Sequence, residues 1–314
     1  MTELRPWLSL ILRHRSRLVL GAILMLATLL SGVGLLALSG WFITTTAVTA
    51  LAWSAGLQAS LNLYVPGGGI RFFALSRTLS RYFERLHNHD TVLRVLADLR
   101  VYLFSNLARL DERARVGLRS AQFLNRMVSD VDTLDNLYLR QLAPPVVALV
   151  GAVAVAGLIV LFVPPIGLLV GGTLLVLLGT VTLGTALLTR RISAEDVHGR
   201  DRIRSRVVDQ LRGLAELQAA SQLGRHQREL LDLDATQRAG QYRITVATSL
   251  AQALTTLGVQ GLAVSVLILA ALAFRMDAVS GAVMVMMPLA VMALGEGFNA
   301  LPAAFGQWGA TEAA

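Results

Sequence analysis

The sequence predicts an all-α membrane protein, a six-helix transmembrane domain with two long cytosolic helical extensions. Three observations predict it. Of the 314 residues, 54% are hydrophobic and only 15% charged, with a mean hydropathy of +0.60; a soluble domain carries roughly 25% charged residues. Six apolar segments each come near the ~20 residues that cross a bilayer. The arginines cluster in one set of connections and are nearly absent from the other.

Residues 1–17 alternate Leu4, Trp7, Leu8, Ile11 and Leu12 with Arg5, Arg13 and Arg15. That pattern suits a short elbow helix lying in the membrane interface. The six expected spans then fall at 18–49, 56–75, 142–163, 166–188, 250–274 and 281–301. The second is the weakest, because it contains Asn62, Pro66, three glycines and Arg71. Pro164-Pro165 alone separates the third from the fourth.

The segment 67–110 organises the rest. It begins apolar and becomes an arginine-studded amphipathic helix, with Leu79, Leu86, Leu93 and Arg100 seven apart and Tyr82, Phe83 and Ala97 between them. Such a stripe persists for about four heptads. A helix of that length reaches ~60 Å, twice the hydrocarbon thickness, so it is expected to leave the membrane and continue beyond it.

Four arginines precede the first span, eleven lie in 77–140 and eleven in 190–243. The positive-inside rule therefore predicts that both termini and both long connections are cytosolic, with Trp41 and Trp53 at the opposite interface. Each connection exceeds fifty residues, too long for a structureless loop. Each reads as a helical hairpin interrupted once, near 111–120 and 212–224, presenting two tips on which a partner domain can dock.

Composition excludes several chemistries. There is no Cys, hence no disulfide, thiol relay or thiolate metal site. All 28 basic residues are Arg, so the Lys of a GxxxxGK[ST] phosphate loop is missing; the chain alone is not expected to be an enzyme, and ATP is expected only through a nucleotide-binding domain outside it. The +8 charge flanks membrane spans, so nucleic acid is not an expected partner. Asp130, Asp132 and Asp135 lack the Gly and distal Glu of a calcium loop. Gly67, Gly68 and Gly69 sit in a span, where they favour close helix approach over phosphate binding.

Four stretches carry a family resemblance: LLALSGWFITTTAV at 35–48, SRTLSRYFERLHNHDTVLRVLADLRVYLFSNL at 76–107, FLNRMVSDVDTLDNLYLR at 123–140 and GLAELQAAS at 213–221. Together with the six-span pattern they resemble the transmembrane domain of ABC exporter half-transporters (type I exporter, type IV fold), and most closely the CydC family. The resemblance implies a heterodimer with a CydD-like half in the bacterial inner membrane. It implies export of cysteine, glutathione or haem for cytochrome bd assembly, powered by a nucleotide-binding domain that docks at the two tips. The sequence departs from many of these exporters at Ser120-Ala121-Gln122, where they carry Gly-Glu. A half-exporter for lipid or drug, and a non-transporting haem-binding assembly subunit, are the alternatives.

Five residues are candidate ligand contacts. Tyr82, Arg85 and His89 share one helical face. Imidazole ligates haem iron and guanidinium pairs with carboxylates such as a propionate; the family resemblance implies haem binding at His89, the His of the RYFERL…HD block. His87, two residues away, points elsewhere on the helix, and His14, His198 and His226 are scattered. Arg71 and Glu296 are the charges placed well inside spans, at equal expected depth and of opposite sign, which suggests a pair facing a cavity. Gly295 and Gly297 permit close approach around Glu296, and Asn299 and Pro302 are expected to kink the end of that helix.

Overall fold

The computed structural model describes residues 15–108 and 141–313. All its described elements are helices: α1 (Arg15–Ser54), α2 (Tyr64–Ala108), α3 (Ala143–Val160), α4 (Pro164–Arg212), α5 (Leu214–Ala219), α6 (Leu223–Arg275), α7 (Gly281–Ala293), α8 (Gly295–Asn299), α9 (Leu301–Phe305) and α10 (Trp308–Ala313). Among them, α1, α3, α4, α6 and the run from Gly281 to Phe305 are long and apolar enough to cross a membrane. The protein is an all-α membrane protein of the kind its composition predicts. Most of the expected elbow, the tip at 111–120 and the three aspartates at 130–135 lie outside the described residues.

The expected second span begins too early at residue 56. The chain turns at Gly56, whose φ of +77° lies in the left-handed region open to glycine. Helix α2 starts only at Tyr64, because Asn62 Oδ1 accepts from the N–H groups of Tyr64 (3.0 Å) and Val65 (3.3 Å), satisfying donors a helix start leaves free. Pro66 then sits in the first turn, where its missing N–H carries no penalty. Asn62 reads in sequence as a flaw in a span; in the structure it starts the helix. The 45 residues of α2 continue unbroken for ~67 Å at about 1.5 Å per residue.

Helix α2 packs along α1 with its polar side inward. A side chain at Gly34 would strike the Phe73 ring, and one at Gly69 would strike Leu38, so the two backbones come close. Asn88 and Thr91 are buried, and Ser31 and Ser76 meet across the contact at 3.0 Å. The heptad stripe points the other way: Leu79, Leu86 and Leu93 are each more than half exposed. Where α2 lies within the membrane, lipid solvates an apolar face as well as protein does, so small and polar groups are what gain from meeting each other.

Val163 is extended and Pro164 opens α4 in its first turn, which makes the α3–α4 connection tight, as Pro164-Pro165 predicts. Helices α4 and α6 run 49 and 53 residues and pack on each other. Their length exceeds a ~30 Å hydrocarbon core by more than twofold at ~1.5 Å per residue. The tip expected at 212–224 is α5 with a turn on either side, the second closed by Ser221 at φ 57°.

Ser280 caps α7 by accepting from the Val283 N–H at 3.4 Å. The final span is interrupted at Leu294 and again at Ala300, on both sides of Glu296, although both residues keep right-handed helical backbone angles. Phe298, Met287, Leu294, Leu301, Ile159 and Leu174 are fully buried and form the core shared by α3, α4, α7, α8 and α9.

Candidate functional site

Glu296 occupies the first turn of α8, between two glycines. Its Oε2 accepts from Arg77 Nη2 at 2.6 Å, and its Oε1 accepts from Arg81 Nη2 in an equally direct ion pair. The two arginines lie one turn apart on α2, so their guanidiniums converge on one carboxylate. The Arg77 guanidinium passes Gly32 of α1 at 3.6 Å from where a β-carbon would stand, and the missing side chain gives it a path to α8. Beside them, Thr28 of α1 donates to Glu84 Oε2 at 3.4 Å, and Thr256 of α6 donates to Asn299 Oδ1 at 2.9 Å. Arginine and carboxylate side chains at this level of a helical bundle are costly to hold unless they pair or line a wet cavity. The three charges pair with each other, and Arg77, Arg81 and Glu296 remain 28%, 37% and 48% exposed.

The pairing expected for Glu296 is therefore corrected. Arg71 is exposed and stands six residues N-terminal to Arg77; Glu296 meets Arg77 and Arg81 instead. Glu296 and its two arginines do lie at equal depth. Glu296 lies fifteen residues beyond Gly281, the start of its span, and the same count from Tyr64 falls between Arg77 and Arg81. Counting from residue 56 picks out Arg71. Neither Arg77 nor Arg81 is flagged by the sequence, where both read as the start of an extension.

Tyr82, Arg85 and His89 are all exposed along α2, adjoining the uncovered Leu86 and Leu93. They offer an imidazole, a guanidinium and an aromatic ring on one apolar wall, a donor set that fits one side of a haem. His87 faces α1, where its Nε2 lies 2.9 Å from the Arg17 carbonyl oxygen. At the same end Asp90 accepts from Arg94 (2.9 Å) and Arg17 (2.5 Å). The hydrogen bond from Arg94, then that from Arg17, holds its carboxyl below the usual range. Among the described residues no group of three His, Cys, Asp or Glu side chains is arranged to hold a metal ion.

A second ordered cluster ties the C-terminal helix to α4. Arg190 donates through Nε (2.7 Å) and Nη2 (2.5 Å) to the two oxygens of Glu312. That hydrogen bonding lowers the carboxyl pKa of Glu312. Buried Gln141 donates to Thr311 Oγ1 at 2.9 Å and to the Ala304 carbonyl at 3.3 Å. Gly309 lies directly over the Arg190 carbonyl, with no room for a β-carbon.

No protein-family model matches the chain. It is similar to the glutathione/L-cysteine transport system ATP-binding/permease protein CydC of Escherichia coli, at 38% identity over 266 residues, 82% of this chain and 44% of that protein. It is 42% identical over 144 residues to the CydC of Haemophilus influenzae, 46% of this chain and 24% of the relative. It is 29% identical over 212 residues to the CydD of Bacillus subtilis, 67% of this chain and 36% of the relative. The chain thus spans less than half the length of each of these relatives.

Proposed function

The chain is homologous to CydC proteins over 82% of its length, and from that kinship we propose that it forms the membrane-spanning part of one half of an ABC exporter. The partner is a CydD-like half in the bacterial inner membrane, and the cargo is glutathione or L-cysteine. The single observation carrying this reading is the 38% identity over 266 residues to a protein named for that transport. Two structural features support it. The uncovered apolar face of α2, with Leu79, Leu86 and Leu93 exposed, suits a second membrane half. The cluster of Arg77, Arg81 and Glu296 keeps charge available inside the bundle, where a polar cargo has to be met.

In this reading both termini and both extensions are cytosolic, and α5 at the tip of α4 and α6 takes the force of a nucleotide-binding domain of the type the relatives carry. ATP hydrolysis there switches the paired halves between inward- and outward-open states. The exported thiol serves cytochrome bd assembly.

Haem is the second reading, favoured by the shared exposure of Tyr82, Arg85 and His89 on α2. His89 would ligate the iron and Arg85 would hold a propionate. A bound haem would supply a redox-active iron at the wall between the two halves, as cargo or as an assembly cofactor.

The test uses inside-out vesicles from cells carrying the full-length gene for this protein and that of its CydD-like partner. ATP-dependent uptake of labelled glutathione and L-cysteine is expected. Uptake of lipid or drug but of neither thiol would assign a different half-exporter. Haem binding with no ATP-dependent flux would assign the assembly role.

A further inference from the structure

We propose that Arg77, Arg81 and Glu296 recognise the zwitterionic α-amino-acid head group that L-cysteine and glutathione share, an inference that rests on the thiol-transport reading above. Those two molecules differ in length, charge and peptide bonds. Apart from the thiol, their common unit is one free α-carboxylate beside one free α-ammonium, which glutathione carries on its γ-glutamyl end. A site that admits both is best built against that unit.

The cluster has the matching chemistry. Each guanidinium presents five N–H donors in a planar fork, and Glu296 engages one nitrogen on each of Arg77 and Arg81. Both therefore keep donors for a second carboxylate, which guanidinium binds in a bidentate manner. Glu84 stands beside the trio, within electrostatic reach of Arg81 and Arg85, so three guanidiniums face two carboxylates and one positive charge is left over, which favours an added anion over an added cation. Once an α-carboxylate takes one arginine, a Glu296 oxygen is freed toward the same face and accepts from the α-ammonium. The trio is half open, at 28%, 37% and 48% exposure, so the exchange needs no unfolding of the bundle. Glu296 sits on a five-residue helical segment between the interruptions at Leu294 and Ala300.

Arg85, one turn further along α2, belongs to the exposed face with His89 and is not part of the trio. The Asp196 carboxylate, in a ~200 Å³ cavity between α4 and α6, is already matched by Arg200 and Gln237.

The experiment measures equilibrium binding to the purified full-length protein in complex with its CydD-like partner. The probes are L-cysteine, glutathione, ophthalmic acid (the head group without the thiol), cysteamine (no carboxylate) and 3-mercaptopropionate (no ammonium). The wild type is expected to bind the first three and to bind cysteamine and 3-mercaptopropionate at least tenfold more weakly. This series needs no variant, so it stands even if a substitution unfolds the bundle. Arg77→Gln and Arg81→Gln are expected to weaken L-cysteine at least tenfold, with the conservative Arg→Lys forms recovering part of the loss. Glu296→Gln should erase the preference for L-cysteine over 3-mercaptopropionate. Thiol uptake in the vesicles that is unaffected by these substitutions, or equal binding of cysteamine and L-cysteine, overturns the proposal while leaving the transport reading in place. Absence of any thiol binding or uptake by the wild type overturns both.

Discussion

Arg77 of α2 and Glu296 of α8, separated by 219 residues in the chain, meet at 2.6 Å, the guanidinium reaching past Gly32 of α1. The ion pair ties α2 directly to the last span, whose packing against the first hairpin otherwise runs through α1. Arg81 closes on the other carboxylate oxygen, so removing Glu296 leaves two guanidiniums facing each other.

Glu296→Gln is therefore expected to lower the detergent melting temperature, and Arg77→Ala to lower it less. A double-mutant cycle on Arg77 and Glu296 should show a coupling of about 0.5–3 kcal/mol, the range for residues in contact. The parallel cycle on Arg71 and Glu296 should be additive. Additivity in the first cycle would mean that the contact contributes nothing.

The Arg190–Glu312 pair sets a pH limit on the docking of α10. Hydrogen bonding from Arg190 lowers the folded pKa of Glu312 below that of the free carboxyl. Its contribution is thus complete above the unfolded value, about 4.3, and is lost as pH falls through the lower folded value. Spin labels on Ala194 and Ala310 should report a broadened distance distribution only under such acid conditions. In Glu312→Gln that broadening should already be present at neutral pH, and a distribution unchanged by this substitution would show that the pair does not anchor the helix.

Packing at Gly309 gives a sharper contrast. A β-carbon there would overlap the Arg190 carbonyl oxygen and crowd Ser193, and backbone cannot swing aside as a side chain can. Gly309→Val should displace α10 and reduce thermal stability, while Gly172→Val, with nothing within 4 Å, should be close to neutral. Equal melting of the two variants would contradict the contact.

For haem, optical titration of the purified chain with hemin separates the two histidines. His89→Ala should lose the Soret shift of the wild type, Arg85→Ala should weaken binding without changing the spectrum, and His87→Ala should bind normally. His87 is already engaged at the Arg17 carbonyl, so it serves as the internal control. Identical titrations for all four proteins would remove the α2 face from consideration.

The sequence by itself determined what depends on local composition and periodicity. Apolar runs of bilayer length, proline at helix starts and the 3.6-residue pattern of 67–110 specified the helices, including the long continuous ones and the α5 tip. They did so because a backbone in lipid has to satisfy its hydrogen bonds within its own helix. That Tyr82, Arg85 and His89 share one face also follows from spacing on one helix, which no distant contact can alter.

What only the tertiary structure decided is register between helices. Whether Glu296 meets Arg71 or Arg77 depends on where α2 begins, and that start is set by Asn62 capping the Tyr64 and Val65 N–H groups. An eight-residue shift of that start moves every charge on α2 by about 12 Å at ~1.5 Å per residue, more than two helical turns. The outward direction of the Leu79, Leu86 and Leu93 stripe was likewise invisible in sequence. The same apolar stripe can face a core or lipid with similar free energy, and the glycines that bring α1 against the polar side of α2 settle the choice.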